Sequence, residues 1–275
     1  MKIGIVGLGL IGGSLLKSLS NKGYDVYCVT RNLDTINKAQ IYTKNVADDF
    51  SLLSSCNVVF VCTPISKTVE TLRTLENFLS ENTIVTDVAS VKTFVMQNKY
   101  KFKFIGSHPM AGLETSGFDA SVEDLFKNAK WVLTPYQNSS NEDICELKNI
   151  IEQTGAEIIL STPEEHDKAV AYISHLPMFV AQALVKNIDS SSLAHQLAAS
   201  GFRDTTRLAM TNTTLAQDML VFNKENIVES FNGLYENIKS LLEDKDYKDI
   251  AEAISMKRAN MYDSKGKNTY KKMKF

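Results

Sequence analysis

The sequence predicts an α/β protein, with a doubly wound (Rossmann-type) parallel sheet domain over residues 1–163 and an all-helical domain over residues 164–275. Three observations support this prediction. Short β-branched runs alternate with longer amphipathic stretches through the first 160 residues, a glycine-rich segment follows the first of these runs, and strand signals stop after Leu160. Alternating β and α elements are typical of a sheet covered by helices on both faces.

Seven strands are predicted, at 2–6, 25–29, 58–62, 83–87, 104–107, 131–133 and 157–160. Several are continuous apolar runs, as expected for parallel strands buried on both faces. Helical patterns lie between them, for example at 12–20, 68–79 and 141–153, the last with Asn141 as its expected cap.

The predicted domain boundary lies at Thr162-Pro163-Glu164-Glu165, which has the form of a capping box with Pro at the first helical position. From there to about Ile254 only helical periodicity is found, with breaks expected at Pro177, around 189–192 and near 211–214. The basic tail from Met256 is interpreted as a solvated terminus.

Composition excludes several classes of function. Hydrophobic residues make up 44% and charged residues 23% of the 275 residues, and the net charge is -2, so no global basic field attracts nucleic acid or anionic lipid. The four cysteines form no C-x-x-C pair and are predicted to be free thiols. Glycines interrupt the apolar N-terminus, and no other stretch approaches the roughly 18 apolar residues of a membrane span. We therefore expect a cytoplasmic protein without membrane or nucleic-acid partners.

The segment Gly7-Leu8-Gly9-Leu10-Ile11-Gly12 fits the pattern G-x-G-x-x-G between a predicted strand and a predicted helix. In this context Gly7 allows a tight turn, Gly9 allows close approach of a diphosphate, and Gly12 allows the helix to pack on the strand. The backbone of Leu10 and Ile11 would lie at the positive helix N-terminus, where a diphosphate binds. The alternative is a purely structural glycine-rich turn.

The residues after the second strand, Thr30-Arg31-Asn32, contain no carboxylate to bind the ribose hydroxyls of NAD. Arg31 could bind a 2′-phosphate, which predicts NADP, although Arg31 could also be a solvated loop residue. Thr63 and Pro64 end a further strand at the same edge and are expected to face the cofactor, with a simple strand stop as the alternative for Pro64.

Three further segments carry polar residues: Asp87-Val88-Ala89-Ser90-Val91-Lys92, Gly106-Ser107-His108-Pro109-Met110-Ala111-Gly112, and Ser200-Gly201-Phe202-Arg203-Asp204-Thr205-Thr206-Arg207. With these segments and the glycine loop, the sequence resembles the prephenate/arogenate (cyclohexadienyl) dehydrogenase family over roughly residues 1–235. The resemblance implies a nucleotide-binding domain, a helical domain that forms much of a homodimer interface, and oxidative decarboxylation of a cyclohexadienyl substrate.

The resemblance also implies roles for individual residues. His108 would accept the proton of the substrate hydroxyl, Ser90 would hydrogen-bond the same oxygen, and Arg207 would bind a substrate carboxylate. Arg203, four residues from Arg207 and therefore expected on the same helix face, is a second candidate. Asp204 and Glu114 could position these arginines, or form surface ion pairs.

Two departures from the family pattern bear on the substrate. The segment His175-Leu176-Pro177-Met178 ends in Met where many prephenate-using members have His, and Ala216 stands where some have Trp. An uncharged Met178 would not repel the ammonium group of arogenate, which predicts arogenate over prephenate. His175 could contact substrate or pack in the interior.

The competing hypotheses are another two-domain Rossmann oxidoreductase and a catalytically silent NADP sensor. His166 and His195 lack ligand spacing, and no metal is expected. We also expect no fused mutase before Lys2 and no regulatory domain after the helical domain.

Overall fold

The computed structural model describes residues 1–113, 115–136, 139–188 and 192–262 of the chain. Glu114 and most of the basic tail lie outside the described residues. The chain divides into two units, residues 1–227 and residues 228–275. The predicted boundary near residue 163 lies within the first unit and stays a prediction.

One eight-stranded sheet organises the first unit, in the order β3-β2-β1-β4-β5-β6-β7-β8. The strands are β1 (Lys2–Val6), β2 (Asp25–Val29), β3 (Asn45–Ala47), β4 (Val58–Val61), β5 (Ile84–Asp87), β6 (Lys103–Pro109), β7 (Lys130–Pro135) and β8 (Glu157–Leu160). The first six follow the 3-2-1-4-5-6 order of doubly wound dinucleotide-binding folds. The predicted fold class is confirmed, and β3, a three-residue edge strand, is an addition that its short pattern did not reveal.

Twelve α-helices are present in the described residues. They are α1 (Leu10–Asn21), α2 (Leu33–Ala39), α3 (Ile65–Leu75), α4 (Thr93–Met96), α5 (Asn141–Gln153), α6 (Pro163–Val170), α7 (Leu176–Asn187), α8 (Ser192–Leu197), α9 (Ser200–Thr206), α10 (Thr213–Phe222), α11 (Lys224–Glu243) and α12 (Tyr247–Met261). Short 3₁₀ turns span Phe50–Leu53 and Arg207–Met210. The cap of α5 is Ser140, whose side chain accepts from the amide of Asp143, and not Asn141.

The central strands of the sheet are buried on both faces, and their alternate residues enter different layers. In β4, Val58 and Phe60 pack in the layer that contains Leu15, Trp131 and Leu147. Val59 and Val61 pack in the opposite layer, with Leu72, Leu75 and Val95. Burial of each such side chain contributes about 1.5–3 kcal/mol, which holds the helices against the sheet and fixes the strand ends that carry the polar segments.

Strand β7 reverses the direction of the sheet. It pairs antiparallel with β6, and His108 lies opposite Val132. Strand β6 pairs with β5 only at its beginning, through Lys103 and Phe104. Because β6 continues past that pairing to Pro109, it carries His108 beyond the end of β5.

The break expected at Pro177 is wrong, because the chain stays helical from Pro163 to Asn187. A π-helical turn, Ala171–His175, joins α6 to α7. In a regular α-helix, Pro177 would clash with the carbonyl of Ile173 and could not donate a hydrogen bond to it. Ile173 lies inside the wider π-helical turn, so the helix continues through Pro177. By length and composition alone, the helical stretch Pro163–Asn187 could cross a membrane, although no such stretch was expected from the sequence. In its most apolar 18-residue segment, 33% of the residues are buried.

Candidate active site

A cavity of about 1110 Å³ lies at the carboxyl edge of the sheet. Its walls come from the segments that follow β1, β2, β4 and β5, from the end of β6, and from the helical residues Arg207, Leu208 and Asp218. This is the edge where ligands bind in doubly wound folds. The sheet therefore brings segments that are far apart in sequence to one place.

The glycine loop has the geometry of a diphosphate cradle. Gly7 has a φ of +90°, and a Cβ on Gly12 would lie 2.0 Å from the carbonyl oxygen of Gly7. A Cβ on Gly9 would meet nothing within 4 Å, so the backbone there faces open space. Gly9 is the N-cap of α1 and supplies no side-chain oxygen to its first amides, and Leu10 and Ile11 line the cavity. These residues fit the diphosphate of a dinucleotide, and Gly12 allows the close contact between α1 and the glycine loop.

The segment after β2 forms one end of the cavity. Thr30, Arg31 and Asn32 line it, and Arg31 is exposed to it. The side chain of Asn32 accepts from the amide of Thr35 and caps α2, so Asn32 has a structural role beside Arg31. Asp48 lines the cavity as well.

Thr63 and Pro64 line the cavity after β4, and Pro64 is the N-cap of α3. The helical part of the first unit is attached here, because the carboxylate of Asp218 accepts from the amide of Ser66 at 3.0 Å and from its hydroxyl at 3.1 Å. This contact joins α10 to the first turn of α3. It closes one wall of the cavity.

Ser90 lies just after β5, is 8% exposed as a residue, and lines the cavity. Its hydroxyl is buried and has no hydrogen-bond partner among the described residues. A buried hydroxyl without a partner is costly unless a ligand completes it. Ser90 is therefore fitted to hydrogen-bond a bound molecule.

A buried ion pair ties the Ser90 segment to β6. Lys92 and Asp87 form this pair, and both side chains are 0% exposed. The Lys92 ammonium also donates to the carbonyl of Ser107 at 2.6 Å, and Asp87 accepts from the Ser107 amide at 3.1 Å. Since Ser107 precedes His108, the pair sets the position of His108 relative to Ser90.

His108 lines the cavity and is partly exposed to it. The pKa of its imidazole lies well below the ordinary 6.5, chiefly because burial disfavours the charged form. His108 is therefore neutral near pH 7 and can accept a proton.

His166, to which the sequence assigned no role, contacts His108 directly. Nδ1 of His108 lies 2.9 Å from Nε2 of His166, and Nδ1 of His166 lies 2.8 Å from Oδ1 of Asp167. Both His166 and Asp167 are buried at the start of the helical part. Residue 166 is 58 positions from residue 108, and no motif links the two, so no signal in the sequence could reveal this contact.

Arg207 lines the same cavity as His108, whereas Arg203 does not. Helix α9 ends at Thr206 and Arg207 begins a 3₁₀ turn, so the two arginines do not share one continuous α-helix as the spacing predicted. The Arg203 side chain is 76% exposed and pairs with Asp204 at 3.0 Å. The substrate role of Arg203 stays a prediction. Its ion pair with Asp204 lies on the surface, which was the alternative considered for Asp204.

His175 is fully buried and does not line the cavity. Its Nδ1 lies 3.1 Å from Nδ2 of the Asn223 side chain. Burial lowers the pKa of His175 to about 4. His175 therefore lies in the interior of the described structure, and its contact with substrate stays a prediction.

Met178 and Ala216, the two departures from the family pattern, lie in one buried cluster with Met219. Leu208 packs against this cluster and lines the cavity. The two substituted positions are thus one layer behind the cavity wall. Within the described part of the chain, no group of three or more His, Cys, Asp or Glu residues is arranged to hold a metal ion.

The sheet order, the glycine loop and the cavity place the protein in the class of doubly wound dinucleotide-binding proteins. Residues 15–160 match the family model described as "Prephenate dehydrogenase, nucleotide-binding domain", and residues 162–256 match "Prephenate dehydrogenase, dimerization domain". The chain therefore belongs to the prephenate dehydrogenase family, which confirms the resemblance found in the sequence.

Relatives of known name agree with this assignment. An arogenate dehydrogenase from Synechocystis is 37% identical with a TM-score of 0.83, over 94% of this chain and 99% of that one. A prephenate dehydrogenase from A. aeolicus, solved with hydroxyphenyl propionate and NAD+, is 28% identical with a TM-score of 0.87, over 94% and 97%. A prephenate dehydrogenase from Bacillus subtilis is 32% identical over 82% of this chain, and the match spans 65% of that enzyme's length, just under two thirds.

Proposed function

We propose that this protein catalyses the oxidative decarboxylation of arogenate to tyrosine, with NADP as hydride acceptor. One observation carries the proposal. Ser90, His108 and Arg207, a hydrogen-bonding hydroxyl, a neutral base and a cation, line one cavity together with the glycine loop. The alternative within the family is oxidation of prephenate to 4-hydroxyphenylpyruvate.

Each residue has a distinct role in this proposal. When bound, the nicotinamide supplies the acceptor for the hydride of the carbon that bears the ring hydroxyl. His108 accepts the hydroxyl proton and Ser90 hydrogen-bonds the same oxygen, while Arg207 binds a carboxylate and orients the ring. The electrons of the ring–carboxylate bond enter the ring as carbon dioxide leaves, and the ring becomes aromatic.

Crossing two substrates with two cofactors tests the activity. Formation of reduced cofactor is followed spectrophotometrically with arogenate or prephenate and with NADP or NAD. The highest kcat/KM is expected for arogenate with NADP, and no reduction with either substrate would refute the proposed function. A higher kcat/KM for prephenate would reverse the substrate assignment alone.

The preference for arogenate is supported by the apolar cluster of Met178, Ala216 and Met219 behind Leu208. Arogenate carries an ammonium group where prephenate has a ketone. Because this cluster carries no charge, it does not repel an ammonium group bound in the cavity in front of it. A histidine at position 178 could become protonated and would then repel that group.

The preference for NADP is supported by Arg31, which lines the cavity in a segment, Thr30 to Asn32, that has no carboxylate. Replacement of Arg31 by Ala is expected to raise the KM for NADP about 10- to 150-fold, because a charge-assisted hydrogen bond contributes about 1.5–3 kcal/mol. The KM for NAD serves as the internal control and should change little. An equal rise for both cofactors would assign Arg31 to a contact that the two share, such as adenine.

Replacement of Arg207 by Ala is expected to raise the KM for arogenate about 10- to 150-fold, since it removes a charge-assisted contact worth about 1.5–3 kcal/mol. The KM for NADP should be unaffected. Arg203→Ala is the matched variant, because Arg203 lies outside the cavity of this chain, and it should give the smaller rise. A larger effect of Arg203→Ala would exchange the two assignments.

We further propose a homodimer located in the cytoplasm, without nucleic-acid or membrane partners. The second matched family model is described as a dimerization domain. Helix α11 carries exposed apolar residues at helical spacing, Phe231 (53% exposed), Tyr235 (57%), Ile238 (48%) and Leu242 (83%). Light scattering should give twice the 30.6 kDa of one chain.

A further inference from the structure

A chain of three side chains extends from the cavity into the interior. His108 lines the cavity, His166 contacts its Nδ1, and Asp167 contacts the far nitrogen of His166. The side chains of His166 and Asp167 are each 1% exposed, so water does not compete for these hydrogen bonds. The proposed reaction assigns no task to either residue.

The direction of the hydrogen bonds follows from the chemistry of Asp167. Burial alone would raise the pKa of Asp167, but hydrogen bonds from His166 and from Lys92 and Thr93 outweigh burial and hold the pKa below its ordinary value. An ionised carboxylate can only accept hydrogen bonds, so Nδ1 of His166 donates. An imidazole whose single N–H is donated to Asp167 has an unprotonated Nε2, which can accept from Nδ1 of His108 at 2.9 Å. This arrangement leaves Nε2 of His108 without a proton.

We propose that His166 and Asp167 are positioning residues, which hold His108 in the Nδ1–H tautomer and stabilise the imidazolium that forms when Nε2 accepts the substrate proton. The inference deepens the proposed function, because it rests on His108 as the proton acceptor. Once His108 is charged, its Nδ1–H donates to an imidazole whose other nitrogen is bound to a carboxylate. The positive charge is thereby offset in a buried place where water cannot offset it.

Asp167 also positions the other catalytic segment. Its two carboxylate oxygens accept from the backbone amides of Lys92 at 2.7 Å and Thr93 at 2.8 Å. These amides follow Ser90 closely in the chain. One carboxylate from α6 therefore sets both the tautomer of His108 and the path of the segment that carries Ser90.

The main test compares His166→Leu with His166→Gln in the full-length protein. The tautomer of His108 is read from the ¹⁵N shifts of its ring nitrogens after labelling with ¹⁵N-histidine, without substrate, and kcat is measured in parallel. Leu removes the acceptor, so His108 should populate the Nε2–H tautomer and kcat should fall about 10²-fold or more. Gln supplies a carbonyl oxygen, and it should restore the Nδ1–H tautomer and much of kcat.

His195→Gln is the matched control, since His195 is exposed on α8, and it should leave both readings unchanged. Asp167→Asn tests the carboxylate, because an amide NH₂ can donate to His166 and reverse the whole chain of hydrogen bonds. Its unfolding is followed separately, since it also removes an acceptor from the Lys92 and Thr93 amides. If His166→Leu or Asp167→Asn fails to fold, the His108 tautomer in the unaltered protein and in His166→Gln still tests the inference.

Three results would overturn the inference: an Nε2–H tautomer of His108 in the unaltered protein, no tautomer change in His166→Leu, or a tautomer change without loss of kcat. A purely structural role for His166 would make the Leu and Gln variants alike in tautomer. The nitrogen shifts need no turnover. If neither substrate reacts while the shifts follow the expected pattern, the proposed function fails and the coupling of the three side chains stands.

Discussion

Replacement of His108 by Asn is expected to lower kcat about 10²–10⁴-fold while NADP binding is retained, because the variant keeps a polar side chain at the end of β6 but has no nitrogen that can accept a proton. The change is confined to the proton acceptor, since the glycine loop and Arg31 belong to other segments of the cavity wall. Steady-state kinetics with arogenate and NADP, and titration of NADP binding by fluorescence, measure the two quantities.

The pH dependence gives an independent measure of the same residue. The neutral form of His108 is the base, and burial lowers its pKa well below the ordinary 6.5. The base form therefore persists as the pH falls through 6.5, and kcat/KM should decline only at more acidic pH. Turnover retained in His108→Asn, or an acid limb at or above pH 6.5, would remove His108 from the role of proton acceptor.

Replacement of Lys92 by Met is expected to destabilise the protein by about 3–5 kcal/mol, because it leaves the Asp87 carboxylate buried without its partner cation. Lys92 and Asp87 are both 0% exposed, and burial lowers the pKa of Lys92 although Asp87 opposes this effect. The variant also leaves the carbonyl of Ser107 without its donor from Lys92. The loss should appear in the free energy of unfolding measured with denaturant.

Lys103→Met is the matched control. Lys103 bonds Asp143 at 2.8 Å, but its side chain is 42% exposed, so this pair is expected to contribute only about 0–1 kcal/mol. The double variant Asp87→Asn/Lys92→Met removes both charges and should recover part of the stability lost in Lys92→Met. If Lys92→Met costs no more than Lys103→Met, the buried pair does not stabilise the β5–β6 junction.

The elements that follow from local chemistry could be predicted from the sequence. The buried strands have continuous apolar runs, and the capping box at Thr162 begins α6, with its side chain accepting from the amide of Glu165. Strand β3 was missed because three residues are too short for a periodic signal. The break at Pro177 was wrongly expected, because a π-helical turn is a product of packing and not of local propensity.

The same division applies to the candidate site. Gly7, Gly9, Arg31, Ser90, His108 and Arg207 all line the cavity, and each could be proposed from its segment. His175 and Arg203 could not be placed from sequence, since the burial of one and the exposure of the other depend on how α7, α9 and the following 3₁₀ turn pack. His166 is the clearest case, because its contact with His108 joins a helix to a strand 58 residues away.

By itself, the sequence determined the sheet, the glycine loop and the family, because these depend on patterns within a few neighbouring residues. Only the tertiary structure decided which polar side chains meet. It joined Lys92 to Asp87 and Ser107, linked His108 to His166 and Asp167, and separated Arg203 from Arg207. The physical reason is that hydrogen bonds and buried charges act over about 3 Å in space, whereas a sequence pattern records only distance along the chain.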